Sequence, residues 1–206
     1  MIVENGHSRN FRSGTAPALV RRRFHVNQVP LLSGPVYATV VAVLTEASMT
    51  LENAPVVRTQ MLIRKPVEDV FEAFVNPAIT TKFWFTKSTG NLETGKEICW
   101  EWEMYGVSAR VLVKAIEPQR RILVEWGDPP LPVEWVFSAR SDDTTLVSIS
   151  NWGFGGTDDE IVSQALDSMG GFSFLLAGAK AFLEHSVILN LVSDHHPDAH
   201  RPVPLL

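Results

Sequence analysis

The chain has 206 residues, 45% of them hydrophobic, and a formal net charge of -5, which suits one core-forming domain with an appendage and argues against a nucleic-acid partner, whose binding face would be basic. Its one cysteine, Cys99, rules out an intramolecular disulfide and fits a reducing, cytoplasmic compartment. No membrane span is predicted, because the apolar run Val36 to Leu44 is about half the ~20 residues a spanning helix needs.

Residues 1–55 differ in kind from the rest. Arg9, Arg12 and Arg21 to Arg23 stand against only Glu4, Glu46 and Glu52. An arginine block before an apolar run resembles a targeting signal, although here it lies deep in the chain. The other readings are a poorly ordered N-terminal extension and initiation at Met49, after which the sequence reads as a complete domain. The domain is expected over 56–190, with 191–206 as a C-terminal tail.

Val56 to Ile63 alternates loosely and predicts a first strand. Pro66 then opens a helix carrying Val67, Val70, Phe71, Phe74 and Val75, which Asn76-Pro77 ends. A second short helix is predicted to carry Ile79, Phe83, Trp84 and Phe85. Further on, Ile98, Trp100, Trp102 and Met104 alternate with polar neighbours, as do Val107, Ala109, Val111 and Val113 after Gly106. Tyr105-Gly106 as a two-residue hairpin loop would pair Met104 with Val107, Trp102 with Ala109, Trp100 with Val111, and Glu101 with Arg110. A four-residue turn over Glu117 to Arg120 would place Val111 beside Trp126, Val113 beside Val124 and Ala115 beside Ile122. Val133, Trp135 and Phe137 mark another strand after the prolines at 129, 130 and 132, and Leu146 to Trp152 the last.

The closing stretch Thr157 to His185 is helical. Ile161, Ala165, Leu166, Met169, Phe172, Leu176, Ala179 and Leu183 draw one apolar stripe, and Thr157 with Glu160 forms a capping box. Gly170-Gly171 costs about 2 kcal/mol relative to two alanines, predicting a bend or a close backbone approach. A curved antiparallel sheet with one apolar face needs this helix as its cover. The fold class is therefore α+β, with a cavity expected between sheet and helix.

The run Pro66-Val-Glu-Asp-Val-Phe-Glu-Ala-Phe-Val-Asn-Pro77, followed by Lys82-Phe83-Trp84-Phe85, is similar to the opening of the START-like (SRPBCC) superfamily. More narrowly, it resembles the branch named after the C-terminal domain of the activator of the heat shock protein 90 ATPase, as does Ala179 to Asp198. The resemblance implies a helix-grip (Bet v 1-like) fold whose cavity takes apolar or amphipathic small molecules. It does not by itself imply a reaction. Two departures stand out: Gly170 is followed by Gly171 where members often carry tryptophan, and residues 1–55 are unlike the activator's separate N-terminal domain.

On these grounds the predicted ligand-binding set on the sheet side is Trp84, Trp100, Trp102, Met104, Val111, Val124, Trp126, Trp135 and Phe137. Met169, Phe172, Leu176 and Ala179 face them from the helix. Aromatic residues on a sheet face serve a core as readily as a binding site. Three functions stay open: a carrier, a cyclase or hydrolase using Ser148, Ser150 or Asn151, and a chaperone-linked or stress-linked interaction module. A homodimer is compatible with each.

Other candidate chemistry reads more simply as structure. Gly153-Phe154-Gly155-Gly156 lacks the third glycine of a dinucleotide fingerprint and precedes three carboxylates that would repel a phosphate. His195, His196 and His200 with Asp194 and Asp198 lie in a proline-interrupted, solvated tail, so no metal is assigned. Glu101, Glu103, Glu125 and Glu134 read as a solvated sheet face partnered by Arg110 and Lys114, and Cys99 has no histidine partner that would make it a nucleophile. No cofactor is expected.

Overall fold

The structure, a computed structural model, describes residues 53–141 and 143–199; the readings made of residues 1–52 and of His200 lie outside those residues. The elements run β1 (Val57–Ile63), α1 (Val67–Val75), α2 (Pro77–Thr80), β2 (Lys87–Ser88), β3 (Glu97–Trp102), β4 (Val107–Glu117), β5 (Arg121–Trp126), β6 (Leu131–Ala139), β7 (Thr145–Asn151), α3 (Asp158–His185) and α4 (Leu191–His195). The strands form one antiparallel sheet in the order β1-β7-β6-β5-β4-β3-β2. Its curved face and the long C-terminal α3 make the helix-grip architecture.

Alternation sorts the two faces as the period of two requires. Trp100, Val111, Val124, Trp135 and Ile149 are buried in a common core with Phe71 and Phe74 of α1. On the opposite face Lys114 lies 3.2 Å from Glu125 and Arg121 lies 2.6 Å from Glu134. Arg110 bonds Glu97 at 2.9 Å rather than pairing with Glu101.

Three local expectations are corrected. The β3–β4 register is Trp102 with Val107, Trp100 with Ala109, Ile98 with Val111 and Cys99 with Arg110. The loop takes four residues because Glu103–Tyr105 coil into a 3-10 turn that ends on Gly106 at φ 61°, and the Glu103 N–H donates to Thr86 Oγ1 at 3.0 Å. A slip of two residues leaves every side chain on its predicted face, which is why alternation cannot detect it. At the next turn Val111 meets Trp126 and Val113 meets Val124 as predicted, but a bulge at Lys114 brings Ile116, not Ala115, opposite Ile122. Of the second-helix residues only Ile79 is helical: α2 stops at Thr80, whose buried hydroxyl donates to the carbonyl of Ala73 at 2.7 Å.

The long helix starts as its sequence says. Thr157 N–H donates to Glu160 Oε2 at 2.8 Å and Glu160 N–H returns to Thr157 Oγ1 at 3.4 Å, completing the capping box. Its apolar stripe is covered only in part. Phe172, Leu175, Leu176 and Ala179 are buried, whereas Leu166 is 67% exposed and Met169 37%. The helix packs chiefly along β1, and its close backbone approach falls at Gly178, where a Cβ would stand 3.1 Å from the carbonyl of Phe83. At Gly170 and Gly171 a Cβ would meet nothing within 4 Å.

Glu184 fastens the C-terminal end of α3. Its buried side chain accepts the Arg64 backbone N–H at 2.7 Å and bonds Lys180, whose ammonium also donates to the carbonyl of Leu62 at 2.8 Å. Burial alone would raise the Glu184 carboxyl, but the hydrogen bonds from Lys180 and Arg64 and the attraction of their charges outweigh it and hold it below the usual carboxylate range. A depressed folded value contributes stability above the unfolded carboxylate pKa and loses it as pH falls through the folded value. Glu184→Gln is therefore expected to destabilise the protein by about 1–2 kcal/mol at pH 7. The gap to the native protein should close below about pH 4, as read from urea denaturation at a series of pH values; a gap independent of pH would show that the charge contributes nothing.

Candidate functional site

A cleft lies between β4, β5 and the N-terminal half of α3. Two adjoining cavities occupy it, of about 590 Å³ and about 620 Å³, and Trp84, Ala109, Trp126, Asp167 and Gly171 belong to the walls of both. Each of those residues has a local reason to be there. Ala109 faces inward opposite Trp100 and is too small to reach the helix. Gly171 presents no side chain at all. Trp84 projects from the turn after α2 into the centre of the aromatic cluster, with ring centroids 4.7 Å from Trp100, 5.9 Å from Trp102, and 6.0 Å from both Trp126 and Trp135.

The predicted set divides by position. Trp84, Trp126 and Phe172 line the first cavity, and Trp84, Trp102 and Trp126 line the second. Trp100 and Trp135 lie behind them around a void with no room for water, and Trp135 Nε1 is a buried donor without a hydrogen-bond partner among the described residues. Val111, Val124, Phe137, Leu176 and Ala179 are buried in the core. Met104 lines a third cavity of about 380 Å³, and Met169 lies on the exposed side of the helix.

The polar part of the first cavity was only partly legible. Asn151, one of the candidate catalytic residues, is buried there, yet both ends of its amide are engaged: Nδ2 donates to the Pro132 carbonyl at 2.9 Å and Oδ1 accepts from Ser168 Oγ at 2.7 Å. Alternation along β7 turns Ser148 and Ser150 to the opposite face, so neither joins Asn151. Gln164 donates to the Gly155 carbonyl at 2.8 Å. Gln164, Asp167, Ser168 and Gly171 follow one another at helical spacing and line this cavity, a polar stripe overlooked beside the apolar one.

The C-terminal segment walls the second cavity. Residues 191–195, read from sequence as solvated tail, form α4, which leaves Asn190 at φ 53°. Val192 packs against the core and its carbonyl accepts the Tyr105 hydroxyl. The His195 ring lies 4.7 Å from Phe174 and 4.1 Å from His196, and both imidazoles line the cavity. Burial pushes the Tyr105 phenol above its ordinary pKa. At the other end, Gly156 has φ +118° and the Glu160 carboxylate fills the place a Cβ would take, so both the angle and the space call for glycine and the run is a strand-to-helix turn.

Among the described residues no helix is long and apolar enough to cross a membrane. Comparison with solved structures places this geometry. The chain is similar to protein SSP2350 of Staphylococcus saprophyticus, with 30% identity and a TM-score of 0.57 over 66% of this chain and 96% of that one. It also resembles the Aha1 protein of Colwellia psychrerythraea, solved as a dimer, with 15% identity and a TM-score of 0.54 over 64% of this chain and 97% of that one. Similarity to CalU16 of Micromonospora echinospora is 18% in identity with a TM-score of 0.51, over 71% of this chain and 94% of that one. The last two show the fold alone. No curated protein matches the chain. Residues 64–176, which run from the end of β1 into α3, match the family model described as Activator of Hsp90 ATPase homolog 1-like protein, and with the helix-grip fold around them the chain belongs to that family, within the START-like superfamily.

Proposed function

We propose that the protein binds an apolar or amphipathic small molecule in the cleft between β4, β5 and the N-terminal half of α3, and releases it unchanged. The observation that carries this reading is the pair of adjoining cavities walled by Trp84, Trp126 and Phe172 under a glycine pair that leaves the space open. Indole and phenyl faces in such a cleft take a flat or apolar body by burial. Carrying is preferred to catalysis because Ser148 and Ser150 face away and the Asn151 amide is already satisfied. It is preferred to an interaction module because the interior of the cleft is unfilled.

Native mass spectrometry of freshly purified protein is expected to show a bound small molecule. With the neutral probe N-phenyl-1-naphthylamine, Phe172→Leu should weaken binding about fivefold or more. Phe137→Leu, an equal truncation at a core position outside both cavities, should leave affinity within about twofold while lowering stability similarly, by roughly 1 kcal/mol. Equal effects of the two on probe affinity would mean that only stability had been perturbed.

A further inference from the structure

We infer that the ligand of this cleft carries a protonated amine, its apolar body lying against Trp84, Trp126 and Phe172 and its ammonium on the carboxylate of Asp167. This rests on the binding reading above and assigns the ligand's head group.

The first observation is the sign of the walls. The fixed charges among the residues lining the two cavities are Asp128 and Asp167, and neither lining contains a lysine or an arginine. The guanidinium of Arg110 attracts Asp128 from outside the cavity. Asp167 stands on the exposed rim of the cleft; it has no hydrogen bond or ion pair among the described residues, and it is the carboxylate that both cavities share.

The second observation is the direction of the hydrogen bonds. Asn151 donates to Pro132, Ser168 donates to Asn151, Gln164 donates to Gly155, and the Tyr105 hydroxyl donates to Val192. Asn151, Ser168, Gln164 and Tyr105 have thus turned these donors onto the protein itself. A carboxylate accepts only, so the group that meets Asp167 must donate. An ammonium satisfies it with a charge-assisted bond and lies favourably against the indole faces of Trp84 and Trp126. A fatty-acid carboxylate or a phosphate would face Asp167 with no lysine or arginine to offset the repulsion.

The imidazoles of His195 and His196 lie on the far wall of the second cavity, and the test is run at pH 8. Octylamine, 1-octanol and octanoate share one tail and differ only in head group; each is titrated against N-phenyl-1-naphthylamine bound to the full chain. Octylamine is expected to displace the probe at about five- to tenfold lower concentration than octanol, and octanoate to be weakest. Asp167→Asn should erase the advantage of the amine while leaving octanol unchanged. Asp69→Asn, which removes the same charge from α1, should leave the order intact and so excludes a general attraction to an acidic protein. Equal displacement by all three compounds, or equal behaviour of the two asparagine variants, overturns the amine assignment alone. Failure of the probe and of every octyl compound to bind overturns the binding reading and the assignment with it.

Discussion

Gly171→Trp is expected to weaken N-phenyl-1-naphthylamine binding about tenfold or more while the protein stays folded. Gly171 belongs to the walls of both cavities, and a Cβ built there meets nothing within 4 Å. An indole at this position therefore has space to enter, and the space it takes is the ligand's. The same substitution replaces a poor helix former in the interior of α3, which favours the helix by about 0.5 kcal/mol. Loss of binding should come without a fall in melting temperature. Gly171→Ala separates the two effects: it should raise stability by about 0.5–1 kcal/mol and leave affinity within about twofold. Undiminished affinity in Gly171→Trp would place the probe elsewhere. Relatives with tryptophan after the glycine, the pattern noted in the branch this sequence resembles, would by the same geometry have the smaller cleft.

Trp100→Ala is expected to produce the largest loss of stability, about 3–5 kcal/mol. The residue is 1% exposed, stacks on Phe85 at 5.0 Å with the planes 17° apart, and touches Trp84, Trp102 and Trp126 at centroid distances of 4.7, 6.4 and 6.0 Å. Truncation removes the transfer energy of an indole and leaves a hole that the β-ladder on either side cannot collapse to fill. Trp152→Ala is the comparison, since Trp152 is half-buried beyond the end of β7 and outside the core cluster; it should cost under about 1.5 kcal/mol. The check is the urea midpoint of each variant at unchanged slope. Similar losses at the two positions would contradict a core centred on Trp100.

The distinction between these two residues bears on how a site can be told from a core. Trp100 and Trp126 have the same side chain, lie on neighbouring parts of one sheet face, and look alike in sequence. Trp100 is enclosed by Phe85 and Trp84, both delivered by the turn after α2. Trp126 stands at the end of β5, where Trp84 reaches it on one side at 6.0 Å and the cleft leaves the other partly open. Aromatic content therefore indicates that a cavity can exist, whereas the helix that covers one half of the sheet and not the other decides where it is.

Elements that depend on neighbouring residues along the chain were determined by the sequence alone. The period of two put Trp100, Trp102, Val111, Val124 and Trp135 on one face, Thr157 and Glu160 marked the start of α3, and the order of elements with Pro66 to Pro77 pointed to the family. Tertiary structure decided the rest. A two-residue slip in the β3–β4 hairpin preserves every face, so the 3-10 turn at Glu103–Tyr105 had to be seen. The apolar stripe of α3 runs its full length, but a curved sheet meets a long helix over only part of it, leaving Leu166, Asp167 and Met169 exposed, with Asp167 at the rim of the cleft. Local pattern specifies which way a side chain faces; what it then meets is set by contacts between residues far apart in the chain, which no local pattern contains.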